Sequence, residues 1–267
     1  MDQLAYDDRA AEPLLAALEP GGPWRWLTER VRARDGLDLQ PRARSVDVYA
    51  GATRVAELRL GRDDRLTLRV RGGAELDEAI AAARPSPPHA WLAAGDVMTV
   101  VAREVKIAAP RPALAAARIP LDAAVVGLRA DGVRWAVPPF GDKIDALAID
   151  AEGRVLVIAA RDGADARRTG WAPAQLAMHF ALARRWAQQD TVHAADVLEG
   201  QRGERLRLGL LPASAHGRII TRPVELVPVL VLHGAPSDAT ARRMARVGEA
   251  VVQAGGDLAG LEIARIA

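Results

Sequence analysis

Cysteine is absent from the 267-residue chain. That excludes disulfide scaffolds, thiolate metal sites and cysteine nucleophiles, and it agrees with a reducing compartment. Aromatic residues make up only 4% of the sequence although half of it is hydrophobic, so alanine, leucine and valine must fill most of the core. No apolar run approaches the roughly 18 residues that a membrane-spanning helix needs. Met1-Asp2-Gln3-Leu4 lacks the basic segment that opens a secretory signal. The expectation is a cytoplasmic protein with no membrane partner. Lysine is nearly missing as well, Lys106 and Lys143 being the only two. Arginine in place of lysine, with abundant alanine, reads as the coding bias of a GC-rich genome and carries no functional message. With 36 basic and 34 acidic residues, the strongly basic signature of a nucleic-acid-binding domain is missing. There is no glycine-rich phosphate loop, no His-Glu-x-x-His and no nucleophile elbow. His193, His216 and His233 have no metal-ligand spacing.

Breakers divide what remains. Pro20-Gly21-Gly22-Pro23 precedes a first helix over Arg25–Arg32, which Trp24 and Trp26 bracket. Apolar-rich runs at 45–49, 54–60 and 66–70, separated by Gly51 and by Gly61-Arg62-Asp63-Asp64, predict an antiparallel meander. Leu76, Ile80 and Ala83 share one face at i, i+4, i+7 spacing, which predicts a helix over 75–83. Pro85-Ser86-Pro87-Pro88 ends it and marks a linker. An N-terminal α+β module over residues 1–92 and an α/β domain over 93–267 follow from that division.

In the second domain, residues 97–107 are either a strand or the start of a helix. Residues 125–128 and 133–137 flank Asp131-Gly132 as a hairpin. Further strands are expected at 144–149 and 155–160. A helix over 173–187 follows, with Pro173 early, where its missing N–H is harmless. After a variable stretch come a strand at 224–232, a helix over 237–254 closed by Gly255-Gly256, and a last strand at 261–266.

The segment from Gly141 to Ile158 carries the most information. Ala151-Glu152-Gly153 suits a three-residue hairpin loop, a type I turn followed by glycine in the left-handed region. Asp150 then pairs with Arg154, which sets Asp145 opposite Ala159 and Lys143 opposite Arg161. Facing pairs project to the same side of an antiparallel ladder. Both faces of these strands are otherwise mostly apolar, as for central strands covered on each side.

This pattern resembles the PD-(D/E)xK, or restriction-endonuclease-like, nuclease superfamily, in which an Asp ends one strand and Glu-x-Lys lies on its hairpin partner. Asp145 matches the Asp. The Glu-x-Lys position reads Ala159-Ala160-Arg161. Gln175-Leu176-Ala177-Met178-His179 matches the Gln of a Gln-x-x-x-Tyr found in nuclease branches, with His in place of Tyr. The resemblance covers about residues 125–187 and implies a mixed central sheet flanked by helices. In such nucleases carboxylates hold Mg²⁺, which stabilises charge developing on the phosphate. Asp145 with the carbonyl of Ala160 would give only two protein ligands. Arginine stays protonated and cannot act as a base, though it pairs well with phosphate. The resemblance therefore implies a degenerate site: Asp145 a vestigial metal ligand, Arg161 a phosphate contact, Gln175 a groove residue, and Ala159, Arg161 and His179 the altered motif positions.

Two rescues are open. Lys143, two residues before Asp145 on the same strand face, can stand in for the missing lysine, or a carboxylate from elsewhere can migrate in. Glu152 sits at the far end of the hairpin, Asp162 alternates to the other face, and Asp165 lies in a loop. Arg161, Arg167 and Arg168, with the basic stretch Arg202, Arg205, Arg207, Arg218 and Arg222, form either a phosphate-binding flank or a set of solvated loop arginines. Three functions are compatible with this: a non-catalytic nuclease-like protein that binds nucleic acid or serves a larger assembly, an active Mg²⁺-dependent nuclease with relocated ligands, or a protein-interaction scaffold. No cofactor is expected outside the active-nuclease case.

Overall fold

Alternation of apolar and polar residues builds the first sheet. In β2 (Ser45–Ala50), β3 (Thr53–Leu60) and β4 (Leu66–Val70), the residues Val46, Val48, Ala56, Leu58, Leu60, Leu66 and Leu68 are buried at period two. With β1 (Leu37–Arg42) and β5 (Glu75–Asp77) they form an all-antiparallel sheet in the order β1-β2-β3-β4-β5. The architecture comes from a computed structural model, which describes residues 9–33, 37–50, 53–70, 75–77, 124–130 and 144–266. Helices α1 (Glu12–Leu18) and α2 (Arg25–Arg32) add Leu14, Leu18, Leu27 and Val31 to the same core, with Trp24 fully buried beside them. The Trp24 and Trp26 rings lie 5.9 Å apart, which places them in packing.

Residues 75–77 are a strand and do not begin a helix: Leu76 pairs with Leu68 across β4. Three apolar positions are a thin helical stripe, and the open edge of β4 offers the backbone a full ladder. Residues 78–83, 97–107 and 133–137 lie outside the described residues, so the expectations placed there have no counterpart.

The chain divides into two units: Asp8–Ala109 with Gly200–Leu210, and Met1–Asp7 with Pro110–Glu199 and Leu211–Ala267. Residues 200–210 thus join the first sheet from far along the sequence. Arg205 donates from Nη1 to the Leu39 carbonyl at 2.8 Å and from Nη2 to Asp38 at 2.9 Å, and Leu208 enters the apolar core. These contacts satisfy a carbonyl on β1, the edge strand that also carries Pro41.

The second unit holds β6 (Ala124–Ala130), β7 (Ile144–Ile149), β8 (Val155–Asp162), β9 (Leu226–His233) and β10 (Glu262–Ile266), in the order β10-β9-β8-β7-β6. β6, β7 and β8 run antiparallel to their neighbours in turn, whereas β8, β9 and β10 are mutually parallel. Parallel neighbours need long crossovers. The first carries α3 (Ala166–Gly170), α4 (Ala172–Gln189) and α5 (Thr191–Arg207), and the second carries α6 (Asp238–Gln253). α4 packs on β8 and β9 through a face with buried Leu176, Phe180, Ala183 and Trp186. The opposite face of the sheet gathers Ala146, Ala148, Leu156, Ile158, Ala160, Val227, Val229 and Val231. The result is mixed α/β, with a strand meander and a mixed parallel–antiparallel sheet. No helix among the described residues is long and apolar enough to cross a membrane.

Candidate functional site

The hairpin of β7 and β8 closes through local chemistry. Gly153 N donates to the Asp150 carbonyl at 3.3 Å and Asp150 N to the Arg154 carbonyl at 3.1 Å, and Gly153 adopts φ 83°. That is the type I turn plus left-handed glycine expected from Ala151-Glu152-Gly153. A side chain at 153 is doubly disfavoured, because a Cβ there would lie 2.1 Å from the Ile219 carbonyl oxygen. The buried Asp150 carboxylate accepts from Glu152 N at 3.1 Å, Arg154 N at 2.8 Å and Arg154 Nε at 2.7 Å. This carboxylate raises the Arg154 guanidinium above its ordinary range.

The turn fixes the register: Ile149 faces Val155, Ala148 Leu156, Leu147 Val157 and Ala146 Ile158. Asp145 comes next on β7, just beyond the last registered pair, and its carboxylate reaches the backbone of β8. Asp145 is 6% exposed. Its Oδ2 accepts from Ala160 N at 3.0 Å and from Arg161 Nη1 at 2.5 Å. Arg161 Nη1 also donates to the Ala160 carbonyl at 2.5 Å, and its Nη2 to Gln175 Oε1 on α4. Three oxygens, a carboxylate, a peptide carbonyl and a side-chain amide, thus converge on one guanidinium whose side chain is 11% exposed. An ion pair this far from water depends on close geometry and on hydrogen bonds to its remaining atoms, and both are present.

Asp145, Ala159, Arg161 and Gln175 are brought together. His179 lies one turn beyond Gln175 on α4 and is buried. Lys143 lies outside the described residues. Arg167 and Arg168 are exposed on α3, just after β8, with Arg168 at 3.8 Å from Asp165. Asp165 caps α3 by accepting from Arg168 N at 3.1 Å, and Glu152 is exposed in the turn, so neither reaches Asp145.

The basic stretch resolves into internal partners. Arg205 holds β1 as described, and Arg207 pairs with Glu12 and Glu19. Arg218 is buried and donates to the Ile149 carbonyl at 3.0 Å, while Arg222 reaches Asp196 at 2.8 Å. What the sequence reading lacked was the link from Arg161 to Gln175, which depends on where α4 lies. Gln175 itself was visible through its motif.

A divalent metal does not fit these residues. Magnesium needs near-octahedral oxygen ligands at about 2.0–2.1 Å. Ala159 supplies no ligand, and the space between Asp145 and the Ala160 carbonyl is bridged by Arg161. Among the described residues, no three His, Cys, Asp or Glu side chains gather as a metal site. Compared with protein-family models, curated proteins and solved structures, the chain matches none of them.

Proposed function

We propose that the chain is a nuclease-like protein whose catalytic site has decayed and which serves as a non-catalytic subunit in contact with nucleic acid. The observation that carries this reading is the Asp145 carboxylate held beside Ala159 and Ala160 and engaged by Arg161. The order and directions of β6 to β10 support a restriction-endonuclease-like core, with the acidic strand second and its hairpin partner in the middle. Cleavage needs a charge-stabilising metal and an activated water. Ala159 offers neither carboxylate nor base, and a guanidinium stays protonated throughout the physiological range. Phosphate contact would fall to Arg167 and Arg168, which are exposed on α3 close to the end of β8.

Incubation with plasmid, duplex and single-stranded DNA in Mg²⁺ or Mn²⁺ tests the proposal. It expects a gel shift that weakens with salt, by a log–log slope of about −0.9 per phosphate neutralised, and a further loss in Arg167→Ala/Arg168→Ala. It expects no nicking. Cleavage that Asp145→Ala abolishes would refute the decay. A second reading, a protein-interaction module, is favoured by the internal pairing of Arg205, Arg207, Arg218 and Arg222. Absence of any DNA shift even at low salt transfers the assignment to it.

A further inference from the structure

Arginines of the second unit behave in two ways. Arg154, Arg161, Arg184, Arg218 and Arg222 each donate to a carboxylate or carbonyl of the fold. Those on α3 and the first half of α6 stand in solvent. Among the described residues, Arg167, Arg242, Arg243 and Arg246 are exposed and hold no internal acceptor. Arg168, its side chain 80% exposed, reaches only Asp165, at 3.8 Å. The two helices pack on each other, and the Arg243 stem crosses Gly170 so closely that a Cβ there would lie 2.5 Å from Arg243 Cδ. The next residue is Trp171, which is 52% exposed although Trp24 and Trp186 are buried. Acids on these helices are few: Asp165 caps α3, Asp238 opens α6, and Glu249 borders a cleft on the far half of α6.

We infer that this surface binds single-stranded nucleic acid, with an unpaired base stacked on Trp171 and the flanking phosphates held by Arg167, Arg168, Arg242, Arg243 and Arg246. The inference rests on the nucleic-acid role proposed above and deepens it by naming the class of strand. Phosphate contact alone does not separate single strands from duplex, since both carry the same charged groups. Stacking does. An indole on an open surface reaches the face of an unpaired base, whereas neighbouring bases cover both faces within a duplex. Every base has such a face, so the contact tolerates any sequence. The isolation of the ring favours a base over a protein. Anchors of protein interfaces sit amid other contacts that exclude water. Among the described residues, no second large apolar side chain is exposed on α3 or on the first half of α6. Trp171 is placed by its backbone, its N–H donating to the Arg168 carbonyl at 3.2 Å where α3 gives way to α4. Exchange of its side chain should therefore leave the fold intact.

The test is fluorescence anisotropy of the full-length chain at low salt with a labelled, mixed-sequence oligonucleotide of about 16 nucleotides. It is offered as single-stranded DNA, as single-stranded RNA and as the DNA duplex. The wild type should bind at least one of the two single strands about 5- to 150-fold more tightly than the duplex, the range for one stacked base; which one identifies the sugar. Trp171→Ala should lose that preference and keep its duplex affinity, and Trp171→Phe should retain most of the preference. Arg242→Ala/Arg246→Ala should weaken every probe alike and make the single-strand salt slope shallower by about 1.4, at about 0.7 per phosphate contact. Melting curves show whether each variant is folded, and Trp171→Gln replaces Trp171→Ala if the latter is not. The inference is overturned if the duplex is bound as tightly as both single strands, or if loss of the indole leaves single-strand affinity unchanged. The nucleic-acid role survives either result. Absence of binding to all three probes overturns both and turns attention to a protein partner for this surface.

Discussion

Two aspartates, Asp145 within β7 and Asp150 just past its end, each bond an arginine of the same hairpin, and they do different things. At the turn end, Asp150 meets Arg154 four residues away and also accepts from two backbone N–H groups of the loop. Every partner is local, and the carboxylate acts as a fastener for the turn. At the other end, Asp145 meets Arg161 across the ladder, and Arg161 continues to Gln175 on α4. Here the partners come from separate elements, and the guanidinium is more deeply enclosed, 11% exposed against 32% for Arg154. The same pair of residue types is turn chemistry at one end and a link between β7, β8 and α4 at the other. Spacing alone does not distinguish them; what surrounds them does.

The largest effect should come from breaking the deep pair. Asp145→Asn leaves the Arg161 guanidinium enclosed without its counter-charge and should cost about 3–5 kcal/mol in urea unfolding. Replacing both partners by apolar residues, Asp145→Leu/Arg161→Met, should recover much of that loss, since the coupling in such a cycle reflects the penalty of one stranded charge. Equal losses for single and double variants would show that the pair is no different from its counterpart. At the turn end, Asp150→Ala should cost less, about 1–3 kcal/mol, because it removes hydrogen bonds to two loop amides and to an arginine in partial contact with water. A loss at Asp150 exceeding that at Asp145 would reverse the ranking.

The smallest effect belongs to an exposed control. Hydrogen bonds from Arg207 hold Glu12 and Glu19 below the ordinary carboxylate range. Because the folded values are depressed, this stabilisation is present above the unfolded glutamate value, about pH 4.3, and is lost as pH falls through the lowered folded values. Arg207→Ala should lower the melting temperature slightly at neutral pH and not at all in acid. A deficit that persists in acid would show that Arg207 acts by packing its stem and not by charge.

The hairpin was legible in the sequence because everything that sets it is near in the chain: Gly153 at the left-handed position, Asp150 as acceptor, and near-continuous apolar runs on either side. That was enough to predict the register from Ile149–Val155 to Ala146–Ile158 and to bring Asp145 close to Ala160. The engagement of Arg161 was not legible, since it requires knowing that α4 passes over that face. α5 escaped notice because Gly200 and Gly203 interrupt it and its apolar residues form no single stripe. β1 escaped because Pro41 and the buried Gln40 disguise an edge strand whose carbonyl is answered by Arg205, more than a hundred residues on. α2, β2 to β4, α4, β9, α6 and β10 were all marked by period and punctuation. Ser237 caps α6 by accepting from Thr240 N, and Gly255 at φ 81° follows its end.

The membership of residues 200–210 in the first unit has a consequence for the order of events during synthesis. Domains commonly fold from the N-terminus as they leave the ribosome. Here the meander emerges early, yet the arginine that seals its first strand and the leucine that joins its interior are made much later. Until residue 205 is clear of the exit tunnel, the Leu39 carbonyl of β1 lacks the guanidinium that answers it. The earlier of the two units is thus completed only after much of the later one has been made.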